Sequence, residues 1–181
     1  MINKFQKIIN NKFSGFLKFV FFLRYLVLIF LLSMLFFLYI PQFFDYKKKE
    51  TIIKNYISEN YGLHIKTIES IKYRLFPLPN LEISNLTSDF YNKGINLKTE
   101  SLVIYPEILS IYNYSNFNVR KTILENNNIE IDIKNLKFLS KNIFFLKKKL
   151  FIKNLDLTIK DKNKKIINLN NVDFINYGYK K

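Results

Sequence analysis

Residues 71–84, IKYRLFPLPNLEIS, contain the pattern that decides the fold. Apolar side chains occupy alternate positions on both sides of the prolines, at Ile71, Tyr73, Leu75, Leu81 and Ile83. The positions between them are polar, at Lys72, Arg74, Glu82 and Ser84. A period of two residues is typical of a β-strand that buries one face. The stretch therefore predicts two strands joined at a corner that contains Pro77 and Pro79.

The same alternation continues along the rest of the chain. We count roughly eight strands, near residues 63–66, 68–76, 81–88, 96–105, 117–125, 128–134, 149–160 and 165–175. Turn-forming residues at 126–128 (NNN) and 161–163 (DKN) separate neighbouring strands. Short turns between consecutive strands favour an antiparallel meander over a βαβ sheet. The predicted fold class is α+β, mainly β.

A short amphipathic helix is predicted over residues 46–61, and it is the only helix expected outside the N-terminal segment. Its apolar residues have helical spacing, at Ile52, Ile53, Tyr56, Ile57 and Tyr61. Asp45 is placed to cap the start of this helix, and Gly62 is placed to end it in a left-handed conformation.

An alternating sheet has an apolar face, and a helix of about four turns is too short to cover eight strands spaced about 4.8 Å apart. The face is buried if the sheet closes into a barrel, folds into a sandwich or pairs with another protein. A curled sheet can instead keep an apolar trough for lipid chains. The alternation alone favours the sandwich and the trough equally. In a trough, the candidate lipid-binding residues are Ile71, Tyr73, Leu75, Leu81, Ile83, Ile129, Ile131 and Ile133.

Residues 16–40, FLKFVFFLRYLVLIFLLSMLFFLYI, are almost wholly apolar. At about 1.5 Å per residue they reach roughly 37 Å, which is enough to span a bilayer. The run is too long for a cleaved signal peptide and is not followed by a small-residue cleavage site, so an uncleaved signal-anchor is favoured. A buried core helix is disfavoured because the run has no polar face. The chain then divides into a basic N-terminus (1–15), a transmembrane segment (16–44) and a β-rich domain (45–181).

Composition excludes several kinds of site. The chain has 181 residues, no Cys and one His, so Cys/His zinc sites, CxxC redox pairs, disulfides and Cys-His nucleophiles are excluded. The net charge of +15 is divided between the two ends of the chain. Residues 1–44 contribute five basic residues and no acid, which is typical of a membrane-orienting segment. Lysines also follow the span, so charge alone does not decide its orientation.

The sequence contains no phosphate-binding loop, dinucleotide fingerprint, hydrolase elbow or zincin motif. His64 is interpreted as a surface or interface residue rather than a general base. Glu130 and Asp132 lie on the polar face of one predicted strand without a further acid to complete a metal site. We therefore predict no catalytic residues, no metal and no cofactor.

Lys147, Lys148 and Lys149 form the most notable charged run, in the sequence FFLKKKLFIK. They are candidates for contact with anionic lipid headgroups. The alternative, which the pattern favours, is a solvated turn whose lysines prevent aggregation of the neighbouring aromatic residues. Nucleic-acid binding is disfavoured because the chain has neither a basic recognition helix nor an aromatic RNA-binding motif.

The order of these features resembles the start of the AsmA-like proteins. In that family a membrane helix precedes a helix that ends in a glycine, here Gly62, and a strand that reaches an L-F-P-x-P corner, here residues 75–79. The next strand has the form L-x-[IL]-x-[ND]-[LV], which residues 81–86 (LEISNL) match. Residues 150–174 are similar to the recurrent hairpin of the family. The similarity covers most of residues 16–178.

The resemblance implies a single-pass anchor in the bacterial inner membrane, with residues 1–15 in the cytoplasm and residues 45–181 in the periplasm. It also implies a curled β-groove that carries phospholipid towards the outer membrane, of which this chain is the membrane-proximal part. The alternative is a non-enzymatic envelope assembly factor. Such a factor would recruit outer-membrane proteins by strand addition to an open sheet edge.

Overall fold

A computed structural model describes residues 2–91, 93–162 and 164–178 of the chain. It divides into two compact units, Met1–Ile40 and Pro41–Lys181. The first unit is formed by helix α1, Ile2–Tyr39, and the second contains the sheet.

In the described part of the chain, one helical stretch, Lys18–Phe43, is long and apolar enough to cross a membrane. None of its most apolar window is buried. Side chains such as Phe22 and Phe36 are 64% and 66% exposed, which is unfavourable in water. This agrees with the span predicted at residues 16–44. A signal sequence near an N-terminus meets the same criteria of length and composition.

The chain continues through two 3-10 turns, Ile40–Phe43 and Tyr46–Lys49, into helix α2, Glu50–Tyr61. Asp45 Oδ1 accepts a hydrogen bond from the Lys47 amide at 3.2 Å, so it caps the second 3-10 turn rather than α2. Gly62 ends α2 with a φ of 67°. A Cβ at Gly62 would lie 2.2 Å from the Tyr91 ring, so only glycine fits this position.

Seven strands of the described residues form one sheet, which is open and not strongly curled. They are β1 (Leu63–Thr67), β2 (Ser70–Arg74), β3 (Asn80–Phe90), β4 (Ile95–Pro106), β5 (Val119–Asp132), β6 (Lys149–Asp161) and β7 (Lys164–Asn176). The order is β1-β3-β4-β5-β6-β7, and β2 pairs with β3 beside β1. Strand β7 therefore forms one edge, and β1 and β2 share the other.

The predicted turn at residues 126–128 is wrong. Strand β5 continues through it, so the predicted strands 117–125 and 128–134 are one strand. Asn126 adopts a left-handed φ of 56°, which asparagine tolerates better than most residues. Because of this residue, Leu124 and Asn127 are both buried although they are three positions apart. The asparagines therefore change which side chains face the core and do not reverse the chain.

The prediction of an antiparallel meander with one helix in the domain is confirmed only in part: among the described residues, five of the six strand pairings are antiparallel, but the β5–β6 pairing is parallel and a second helix precedes β6. Asp132 ends β5, and its Oδ1 accepts a hydrogen bond from the Lys134 amide at 3.0 Å, which caps helix α3, Ile133–Phe144. Ile133, predicted on a strand, is therefore the first residue of α3. The helix leads into β6, which pairs with β5 in parallel. Strand β5, helix α3 and strand β6 thus form a βαβ connection.

The predicted turn at residues 161–163 connects β6 to β7, which are antiparallel. Asp161 ends β6, and Lys162 follows it with a φ of 43°. Asn163 lies outside the described residues.

Left-handed asparagines mark a line across the sheet. Their φ values are 45°, 56°, 51° and 54°, at Asn85 in β3, Asn126 in β5, Asn154 in β6 and Asn171 in β7. Asn126 Nδ2 donates to Glu100 Oε2 of β4 at 2.7 Å, and Asn154 Nδ2 donates to Asn126 Oδ1 at 3.0 Å. The strand pairings place Asn85, Glu100, Asn126 and Asn154 opposite one another, whereas Asn171 lies beside Asp156, whose Oδ1 accepts a hydrogen bond from the Asn171 amide at 3.1 Å. We call the four left-handed asparagines the asparagine line, and at this line the alternation of buried side chains shifts by one residue.

The core lies between one face of the sheet and a layer of helices and turns. The covering layer consists of α2, α3 and the β4–β5 connection, with buried Ile53, Ile57, Tyr61, Leu139, Ile143, Ile111, Tyr114 and Phe117. Leu139 and Ile143 are four positions apart on α3, the spacing that places side chains on one helix face. The sheet thus has a packed core of its own with helices over it.

Candidate functional site

The structure places seven of the eight predicted lipid-binding residues in or against this core. Leu81, Ile83, Ile129 and Ile131 are at most 2% exposed, and Tyr73 is 7% exposed. Ile71 and Leu75 are partly buried and pack against the same cluster. Ile133 is separate from the others and is 45% exposed at the start of α3. The buried side chains are in contact with other protein side chains of the core. In an open trough they would be in contact with lipid.

The apolar face of the sheet continues beyond the helices onto β7. The register pairs three β7 residues with core-facing residues of β6, as Ile167 with Ile159, Leu169 with Leu157 and Val172 with Leu155. Directly paired residues lie on the same face of a sheet. Ile167, Leu169 and Val172 are 45%, 44% and 36% exposed, whereas Ile159 is 5% exposed. We call these three residues the β7 stripe.

Strand β7 is also a free edge. No strand among the described residues pairs with its outer side, so the main-chain groups on that side are not used by the sheet. Lys164 and Lys165 lie at one end, and residues 166–172 carry no charge. Edge strands commonly carry charges or bulges that prevent pairing with another chain. Here the asparagine line supplies a kink at Asn171, but the seven residues from 166 to 172 lack a charge.

The predicted headgroup lysines have different environments. Lys148 Nζ donates to Asn118 Oδ1 at 2.7 Å, and the Tyr56 hydroxyl donates to the same oxygen at 3.3 Å. Lys149 is the first residue of β6. Lys147 is exposed in the connection between α3 and β6. Lys148 therefore has a role within the fold, while Lys147 and Lys149 extend into solvent.

The polar residues considered for chemistry also have partners in the fold. Lys160 Nζ lies 2.5 Å from Glu130 Oε2, and this hydrogen bond lowers the pKa of the Glu130 carboxyl. Asp132 caps α3. His64 Nδ1 lies 3.0 Å from Ser58 Oγ, which joins β1 to α2. In the described part of the chain, no group of three or more His, Cys, Asp or Glu residues is placed to hold a metal ion.

Two buried tyrosines form hydrogen bonds within the domain, one between distant elements and one within a short segment. The Thr122 hydroxyl donates to the Tyr61 hydroxyl at 2.9 Å, and the Tyr46 hydroxyl donates to the Pro41 carbonyl at 2.7 Å. Burial raises the pKa of both tyrosine hydroxyls above the ordinary value. The Tyr46 bond joins the two ends of residues 41–46.

The sequence pattern predicts a strand at residues 165–175 but does not reveal the β7 stripe. The apolar positions before and after the left-handed Asn171 differ in phase, so simple alternation does not assign them to one face. The form I-x-N-L at residues 83–86 and 152–155, and L-x-N-V at 169–172, is the sequence signal of the asparagine line. Exposure of the stripe depends on β7 being an edge strand, which the alternation does not reveal.

Comparison with protein-family models found no match, and neither did comparisons with curated proteins and with solved structures. The AsmA-like resemblance therefore rests on the residues of this chain alone.

Proposed function

We propose that this chain is a non-enzymatic, single-pass membrane protein that binds phospholipid. It acts as the membrane-proximal part of an AsmA-like groove that transfers phospholipid. Its anchor lies in the bacterial inner membrane, and residues 45–181 lie in the periplasm. The β7 stripe receives the acyl chains, in place of the strand residues that are packed beneath the helices.

The exposed β7 stripe is the observation that carries the proposal. Its side chains lie on the core-facing side of the sheet and remain 36–45% exposed. Covering apolar surface contributes about 25 cal/mol per Å². From residue 167 to residue 172 the stripe extends about 17 Å at 3.3 Å per residue, close to the roughly 15 Å of hydrocarbon in one bilayer leaflet. An acyl chain fits this length.

The residues behind the family resemblance also have defined positions in the fold. Residues 75–79 connect β2 to β3, and Asn85 contributes to the asparagine line. Residues 150–174 form the β6–β7 hairpin, which has left-handed asparagines in both strands. A kink that recurs from strand to strand is compatible with a sheet built from repeated units, as the resemblance implies.

The free edge of β7 favours a second candidate function, recruitment of envelope proteins by strand addition. An unpaired strand edge offers main-chain hydrogen bonds to an incoming extended segment. This function requires the edge of β7 and does not require the β7 stripe to contact lipid. The two candidates therefore differ in which chemical groups lie against Ile167 and Leu169.

A phospholipid transfer assay tests the leading proposal. Full-length protein is reconstituted in donor vesicles, and movement of a fluorescent phospholipid to acceptor vesicles is followed. Ile167→Lys should slow the transfer about ten-fold or more, because it replaces an apolar contact worth about 1.5–3 kcal/mol with a charge.

Ile175→Lys is the matched control. Ile175 is on the same strand and is 48% exposed, but it pairs with Phe151 on the opposite face. Transfer by this variant should stay within about two-fold of the unmodified protein. Equal rates for the Ile167→Lys and unmodified proteins would contradict lipid binding at the β7 stripe.

A further inference from the structure

The chain enters the domain at one end of the sheet. The aromatic rings of Phe44 and Tyr112 meet edge to face at 5.7 Å, and Tyr46 is bonded to Pro41. This packing places residues 41–49 beside the β4–β5 connection. Strand β3 begins at this end, and β5 and β6 begin there as well. We call residues 41–49, 75–79, 107–121, 144–149 and 177–178 the anchor end, since residues 41–43 end the candidate span.

The anchor end holds the most exposed large apolar side chains of the domain. Among the described residues of Pro41–Lys181, seven such side chains are at least 57% exposed: Phe43, Phe76, Leu78, Leu109, Phe144, Phe145 and Tyr177. All seven belong to the anchor end. Every other exposed large apolar residue of this unit, including the β7 stripe, is at most 52% exposed. Such a concentration of apolar surface on a few loops is typical of an interaction site.

The same surface is basic. Eight basic residues belong to the anchor end, at Lys47, Lys48, Lys49, Arg120, Lys121, Lys147, Lys148 and Lys149. The acids there are Asp45 and Glu107. Lys121 and Lys49 lie over the Tyr105 and Tyr114 rings at 4.3 Å and 4.5 Å, which is compatible with a charge held beside apolar surface. Apolar side chains at loop tips can enter the interfacial region of a bilayer, and neighbouring lysine and arginine side chains can bind its anionic lipid headgroups.

We infer that the anchor end is a membrane-contact surface, in which the loop tips at residues 75–79, 107–118 and 144–149 enter the interface and the basic residues bind anionic headgroups. Residues 44–49 are within six positions of Phe43, so they can extend at most about 20 Å from the end of the span. A membrane crossed by the span is therefore close enough to contact residues 44–49. A protein partner, by contrast, would be a further component that the chain itself does not provide. The inference uses the anchor of the proposed function and does not depend on lipid binding by the β7 stripe.

Fluorophores placed at single cysteines test this surface, because the chain has no cysteine of its own. We use Leu78→Cys and Leu109→Cys for the anchor end and Lys134→Cys for the opposite end, where β5 gives way to α3. Each full-length variant carries an apolar, environment-sensitive label and is reconstituted in nanodiscs that contain brominated lipid. The labels at residues 78 and 109 should be quenched several-fold more than the label at residue 134.

Charge reversal tests the headgroup component. With the label at residue 109, quenching should be greater in nanodiscs with phosphatidylglycerol than in nanodiscs of phosphatidylcholine alone. Lys147→Glu with Lys149→Glu should remove this difference, because both side chains belong to the anchor end. Lys134→Glu with Lys137→Glu makes the same change in net charge on α3 and should preserve it.

Two results would overturn the inference. The first is quenching at residues 78 and 109 no greater than at residue 134 in either lipid, which would place the loops in water. The second is shielding of these labels in native membranes but not in pure lipid, which would identify the partner as a protein. Neither result would alter the transfer rates expected for Ile167→Lys and Ile175→Lys, so the two proposals fail separately.

Discussion

Ile131→Asp is expected to unfold the β-rich domain, whereas Ile167→Asp should leave it folded. Both isoleucines lie on the core-facing side of the sheet, but Ile131 is 2% exposed and Ile167 is 45% exposed. An unpaired carboxylate at the buried position should lower the free energy of unfolding by more than about 4 kcal/mol. At the exposed position the change should be within about 1 kcal/mol. Denaturant unfolding of the full-length protein in micelles, followed by circular dichroism, measures both values.

Ile131→Val is the control for the buried position and should cost about 0.5–1.5 kcal/mol, since it removes one methylene group. Equal stability of the two aspartate variants would contradict a packed core. In that case Ile131 would line an open trough, and the lipid-binding set proposed from the alternation pattern would be restored.

Asn126→Val is expected to destabilise the domain by about 2–4 kcal/mol. A β-branched residue is strained at the φ of 56° that Asn126 adopts, and such strain costs about 1–3 kcal/mol. The variant also loses the side-chain hydrogen bonds to Glu100 and Asn154, which span 2.7 Å and 3.0 Å. The midpoint of urea unfolding, at unchanged m-value, reports the loss.

Asn126→Gly separates the contribution of the backbone conformation to stability from the contribution of the side chain. Glycine adopts the left-handed conformation without strain, so this variant should lose only about 1 kcal/mol. A loss as large as that of Asn126→Val would show that the side-chain hydrogen bonds, rather than the backbone conformation, maintain the asparagine line.

Local patterns in the sequence predict part of this fold. The end of α2 follows from Gly62, and the alternation at residues 71–84 identifies β2 and β3. These features are set by residues that are close in sequence. A left-handed glycine ends a helix, and alternating side chains define the two faces of a strand. They do not depend on which strand pairs with which.

The errors arise where local chemistry allows two outcomes. Three consecutive asparagines are typical of a turn, yet one left-handed Asn126 keeps the chain extended and changes its face. The alternation of Ile129, Ile131 and Ile133 conceals the boundary at which Asp132 begins α3. Helical spacing of Leu139 and Ile143 after a capping residue was the available signal.

The candidate site was harder to predict because its exposure is set by topology. Alternation predicts which side chains face the core layer, but the extent of that layer depends on the helices. Ile129 and Ile131 are buried in the core cluster, which includes residues of α2 and α3, whereas Ile167 and Leu169 remain exposed on the edge strand. The same pattern thus produces core residues in one strand and surface residues in another.

Photo-crosslinking at Leu169 in native membranes tests the central claim most directly. A photoreactive amino acid replaces Leu169 in the full-length protein, and mass spectrometry identifies what it captures. We expect phospholipid adducts at Leu169 in several-fold excess over those at Ile175, which is similarly exposed on the opposite face. Protein adducts without phospholipid, or equal phospholipid adducts at both positions, would contradict a lipid-binding β7 stripe.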